Sequence, residues 1–171
     1  MVRLMLMRNF QWNFGIAPAG LIALALLLAA PAAPLRATNV EFGPSMAPAR
    51  ILDRTAAARL RANKGVTLQW IDWNTRGTAF VRVEKGRWTL RAAQAEAGGP
   101  GRLFLEGRIT EIGRDYFLFE GTVQILNTPD AGRNCERHGR WRFAVTQNRS
   151  YWRLREFEWC DGLIDYIDIH F

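Results

Sequence analysis

Asp161, Asp165, Asp168 and His170 form the densest set of candidate metal ligands or acid–base groups in this 171-residue chain. Asp168 and His170 stand two apart, so on a strand they share a face and lie about 6.6 Å apart along it. A metal site needs three or four converging ligands, and this pair supplies two. Asp161 precedes Gly162, where aspartate ordinarily builds a turn, and Asp165 falls on the opposite face from Asp168. The expectation is arginine-paired carboxylates on an outer sheet face. Any metal or catalytic reading would rest on Asp168 and His170. His138, in Arg137-His138-Gly139, reads as a loop histidine with no nucleophile beside it. A serine triad would have to use Ser45 or Ser150, one in a linker and one in a turn, and neither has the setting of a nucleophile elbow. Glu106, Glu111, Asp115 and Glu120 alternate with arginine along strands, as on any soluble sheet, and do not single out a glycosidase pair. Gly98-Gly99-Pro100-Gly101 lacks the lysine and following helix of a phosphate loop. The sequence therefore points away from catalysis and calls for no cofactor.

Cys135 and Cys160 are the only cysteines. In an exported chain such a pair reads as a disulfide, whereas in the cytosol it would suggest metal or redox chemistry. A hairpin turning near Arg149 sets Cys135 opposite residue 163, close to Cys160. The bond closes a loop of about 24 residues, worth on the order of 3 kcal/mol. Trp70, Trp73, Trp88, Trp141, Trp152 and Trp159 all follow the amino-terminal third. Aromatics at strand positions usually fill a core. Trp73 in a loop and Trp159 beside Cys160 suit a rim. A ring of aromatics with arginine around a barrel mouth would take a flat apolar or anionic ligand. Trp70, Trp88, Trp141 and Trp152 are its expected lining.

The elements that must hold these residues are mostly strands. Residues 140–147 put Trp141, Phe143 and Val145 on one face and Arg140, Arg142 and Thr146 on the other. The end alternates Ile167, Ile169, Phe171 against Tyr166, Asp168, His170, and period two marks half-buried strands. Strands are also expected at 66–71, 78–84, 87–94, 102–112, 116–126 and 151–157. Lys85-Gly86 signals a tight hairpin, and Gly107 and Gly121 suggest bends or bulges. Residues 49–63 are good helix formers striped by Ile51, Leu52, Thr55, Ala56 and Leu60, with a stop at Asn63-Lys64-Gly65. About eight strands joined by short turns predict a mainly β fold, an antiparallel up-and-down meander closed as a small lipocalin-like barrel. A β-sandwich is the alternative.

Residues 1–33 combine Arg3 and Arg8 with a long apolar run and the small-residue site Ala30-Pro31-Ala32, which describes a signal peptide; Leu35-Arg36-Ala37 is a second, poorer site. Residues 34–48 read as a linker and 49–171 as one domain. The expected location is the periplasm, with the outer membrane as the alternative. The formal charge is +7, and without Arg3 and Arg8 there are 21 basic side chains against 16 acidic ones, about +5. The arginines alternate with apolar residues rather than clustering, so a solvated sheet face is expected and nucleic acid is not. Attraction to anionic lipid or polysaccharide fits the same charge.

The runs Tyr151-Trp152-Arg153-Leu154, Cys160-Asp161-Gly162 and Asp165-Tyr166-Ile167-Asp168-Ile169 resemble the carboxyl end of a family of small exported proteobacterial proteins of unassigned function. The resemblance extends back through Gly65-Val66-Thr67-Leu68-Gln69-Trp70, and it implies no activity and no site residues. The expected role is non-catalytic binding of a small apolar or anionic ligand, or of another envelope component, with the oligomeric state left open. Two rival readings are an eight-stranded outer-membrane barrel ending in Phe171 and an envelope enzyme centred on residues 161–170. Membrane contact is expected only through an uncleaved leader or in the outer-membrane case.

Overall fold

The computed structural model describes residues 47–171; the leader, its candidate cleavage sites, Ser45 and the linker up to residue 46 lie outside it. Along the chain come β1 (Arg50–Ile51), α1 (Arg54–Arg61), β2 (Val66–Leu68), β3 (Thr78–Glu84), β4 (Arg87–Ala95), β5 (Arg102–Ile112), β6 (Tyr116–Leu126), β7 (Asn134–Ala144), β8 (Tyr151–Leu154) and β9 (Ile167–His170). The strands from β3 to β9 pair antiparallel in sequence order, and β2 adds beyond β9. Val66 and Gly77 then exchange backbone hydrogen bonds of 3.2 and 2.8 Å, bringing β2 to the foot of β3. The result is a nearly closed barrel rather than a sandwich.

Alternation decides which residues fill it. Leu90, Ala92, Leu103, Leu105, Phe117, Phe119, Val123, Ile125, Trp141 and Phe143 occupy the inner positions of β4 to β7, and all are buried. Phe117 stacks on Phe143 at 4.8 Å and meets the edge of Trp152 at 5.8 Å. Gly107, Gly121 and Gly139 stand opposite one another across β5, β6 and β7. A Cβ at Gly107 would lie 2.5 Å from the Cα of Gly121 and 2.8 Å from the Phe119 ring, so the bare row is what lets large rings lie against the wall. The glycines are therefore packing positions. The bulge falls instead at Thr110, where the β5–β6 register slips between Ile109 and Glu111.

The helix is shorter than the composition of residues 49–63 suggests. Asp53 accepts a 2.7 Å hydrogen bond from Ala56 N and so sets the N-cap. Residues 50–51 pair instead with the end of β5, in parallel, leaving Leu52 exposed. Ala56, Ala57 and Leu60 are the helix's buried face. Because Asp53 N bonds Ile112 O and Lys64 N bonds His170 O, α1 spans one end of the barrel between the tips of β5 and β9. Two further differences have local causes. β2 ends at Leu68 because Ile71 N and Asp72 N turn back onto Leu68 O. β8 ends at Leu154, and β7 begins at Asn134, which places His138 on a strand rather than in a loop.

Candidate functional site

At the end opposite α1, the barrel is sealed by side chains. Arg133, with 4% of its side chain exposed, uses all five N–H groups. Its Nε and Nη2 bond Asp161 at 2.8 and 2.9 Å, Nη1 and Nη2 each bond Asp165 at 3.0 Å, and Nη1 bonds Thr128 O at 3.0 Å. Burial opposes the guanidinium charge, but bonds to Asp161 and Asp165 more than offset it and hold the pKa above the ordinary arginine value. The same contact holds Asp161 below the usual carboxylate range. Trp70 Nε1 donates to Asp165 at 2.9 Å. Buried Gln94 accepts from Leu68 N and donates to Asp72 O and Thr75 O, closing the same end. Beside this network the Cys135–Cys160 disulfide joins β7 to the 155–166 segment, with Cα atoms 5.9 Å apart. Sequence reasoning missed Arg133, although it lies two residues from Cys135 while Asp161 adjoins Cys160, so the disulfide itself implied their meeting.

A second polar cluster covers the outside of β8, β9 and β2. Arg153 grips Asp168 in a fork of two 2.7 Å bonds, and His170 Nε2 lies 2.8 Å from Thr67 Oγ1. The rings of Tyr166, Tyr151 and Trp73 flank the Arg153 guanidinium at 4.1, 5.1 and 5.5 Å. All four members, Thr67, Arg153, Asp168 and His170, are buried. Asp161, paired with Arg133, is exposed, whereas Asp165 and Asp168 are arginine-paired inside the protein rather than on a solvated face. The cause is the 69–77 loop, which brings Trp73 and Arg76 over this part of the sheet. Burial, then the charge of Arg76, pushes the His170 pKa below its ordinary value.

These pairings engage the acid–base groups of the carboxyl end. Both oxygens of Asp168 are held by Arg153, and His170 Nε2 by Thr67. Among the described residues, Cys135, Cys160 and Asp161 are the only trio whose ligand-type atoms lie within 4.8 Å of one another. The sulfurs are bonded to each other and Asp161 is taken by Arg133, so this trio is a staple. Glu106, Glu111 and Glu120 are paired with Arg91, Arg50 and Arg108. His138 Nδ1 sits 3.3 Å from Thr122 Oγ1 on the outer face, and Ser150 lies in the turn before β8.

The four tryptophans expected to line a pocket are not brought together. Trp88, Trp141 and Trp152 are core residues, and Trp70 is tied into the Arg133 network. Among the described residues, grooves lie on the outside of the sheet. One of about 500 Å³ crosses β5 to β7, lined by Arg50, Arg108, Arg140 and Arg142 with Glu111, Glu120 and Glu156, and Trp141 alone of the four borders it. Two others, of about 510 and 430 Å³, share Phe104 and Glu106. No solved structure matches this chain. A protein from Pasteurella multocida (strain Pm70), described as uncharacterized protein PM1083, is 40% identical over 106 residues, covering 61% of this chain and 68% of its own length. Residues 48–171, which are the barrel and its helix, match the PM1083 family, and the chain belongs to that family, one without an assigned function.

Proposed function

We propose that this is a non-catalytic binding domain of the cell envelope that holds an anionic envelope component against the outside of its barrel. The placement of arginine carries the reading. The interior is packed with the protein's own side chains, from Leu90 to Trp152, which is where a lipocalin-like ligand would have to sit. The groove across β5 to β7 gathers four arginines, and Arg140 has no acid partner among the described residues. Arg142, stacked over Tyr116 at 3.9 Å, is held ready beside it. Fixed guanidinium groups suit phosphate or carboxylate on a headgroup or glycan.

The leader-like residues 1–33 and the disulfide support an exported location. The outward rows of β3 to β7 carry Arg82, Glu84, Arg91, Glu106, Arg108, Glu120, Arg140 and Arg142, which favours water rather than a lipid belt outside the barrel. The engagement of every carboxylate in the 161–168 region favours binding over catalysis. The test is co-sedimentation of the exported protein with vesicles of anionic or of zwitterionic phospholipid, alongside a soluble polyanionic glycan. Binding to an anionic probe that weakens with salt and falls in Arg140→Glu is expected. Binding to none of them, or binding indifferent to Arg140, sinks the reading.

A further inference from the structure

Among the described residues, the barrel wall is open along one edge of β3. β3 pairs with β4 along its full length, but on its other side Gly77 meets Val66 and no described residue bonds to the edge above that bridge. α1 lies nearby and makes no backbone hydrogen bond to this edge. Lys85 and Gly86 have φ of 50° and 78°, the signature of a two-residue hairpin turn. Its closing pair, Glu84 and Arg87, is hydrogen-bonded, and pairs alternate along the ladder. Ala79, Val81 and Val83 therefore direct their N–H and C=O groups away from β4, to the open edge.

The surface around this edge exposes apolar side chains among its charged ones. Of the seven large hydrophobic residues exposed among those described, Phe80 and Val83 lie on β3, and Phe104, two strands away on β5, lines the same outer groove as Phe80. Ile51 and Leu52 follow the bond from Ala49 N to Gly86 O, which ties them near the hairpin tip. Phe80 is the most exposed of all at 68%. An open edge without proline or an inward-pointing charge is a template for another strand.

We infer that the β3 edge pairs with β3 of a second copy of this chain, antiparallel about a twofold axis at Val81. The strand is complementary to itself in that register. Val81 meets Val81, and Ala79 meets Val83 twice, so the six open N–H and C=O groups of each copy find partners. On the outer face Phe80 meets Arg82 twice and Thr78 meets Glu84 twice, with no like charges directly opposed. Shifting the axis to Arg82 would set the two arginines face to face. A twofold, self-complementary patch is the commonest form of subunit contact. The inference goes beyond the anionic-surface reading and stands without it, because the arginine groove crosses β5 to β7 rather than β3.

Sedimentation equilibrium of the full chain, over about 1 to 100 µM, reads the outcome by mass action. A dimer is expected. Val81→Pro deletes an N–H that faces only the open edge, a place where an edge strand tolerates proline. The axis counts the loss twice, so the dimer dissociation constant should rise at least about tenfold while far-UV circular dichroism stays the same. Phe80→Arg, at an exposed position, opposes arginines across the axis and should give a similar rise; it decides the question where Val81→Pro fails to fold. A chain that stays monomeric throughout overturns the inference. So does a dimer that both variants leave intact, or occupation of the edge by a different polypeptide.

Discussion

From β3 to β7 the wall is a ladder of strands seven to eleven residues long, whereas from β8 through β9 to β2 no strand exceeds four. The long wall is held by backbone pairing and a single layer of inward side chains, and its outer face is exposed. In the short wall, β7 and β8 pair at only two positions, Phe143 with Leu154 and Ala144 with Arg153. Below them the gap is filled by the 155–166 segment, fixed by Arg155 N to Arg142 O, Asp165 N to Phe157 O and the disulfide. Where hydrogen-bonded ladders run out, buried ion pairs and a covalent bond take over, and side chains are buried on both faces of the sheet.

This contrast predicts where the fold breaks. Arg133→Ala should have the largest effect, about 3–5 kcal/mol by denaturant unfolding, because it strands Asp165 as an uncompensated buried charge. A loss no greater than that of an exposed arginine would mean the network seals nothing. Replacing Cys135 and Cys160 together with alanine comes next, on the order of 3 kcal/mol, and hydrogen exchange should rise first in the 155–166 segment rather than in β4 to β6.

A smaller effect belongs to His170. Its folded pKa lies below the unfolded value of 6.5, so the unfolded chain binds the proton more tightly. Stability should be intact above pH 6.5 and fall as pH drops below it; His170→Gln should remove that slope. The share held by Asp161, whose folded pKa is depressed below 3.8, is lost only further down, below that value. Arg91→Ala, which removes an exposed pair with Glu106 on the long wall, should leave the thermal midpoint unchanged.

The long wall was legible because its chemistry repeats. Thr78 to Glu84, Arg102 to Ile112 and Tyr116 to Leu126 alternate apolar and polar residues between turn residues, and the strands begin and end where that alternation does. The short wall was not, because alternation there does not sort inside from outside. Asp168 and His170 obey the outward phase yet are buried, since a loop remote in sequence folds over them. Trp88, Trp141 and Trp152, expected with Trp70 to line a pocket, sit in the core, because a filled barrel uses the same aromatic alternation as one that holds a ligand. Arg140 carries no local mark: its isolation arises only because Glu120, opposite it, bonds Arg108 at 2.6 Å across the sheet.

The pairing of Val66 with Ile169 and of Leu68 with Ile167 has a temporal side. A chain delivered from its amino end, by a ribosome or through a translocase, presents β2 early and must hold it without its strand partner while a hundred residues follow. The β3–β7 ladder can zip as it emerges, each hairpin on the last, but the seam at β2 and β9 cannot close until the final strand arrives. Such long-range closure is slow by nature, so the half-open cylinder, with the apolar faces of β2 and β3 uncovered, is the state a folding helper would have to shield.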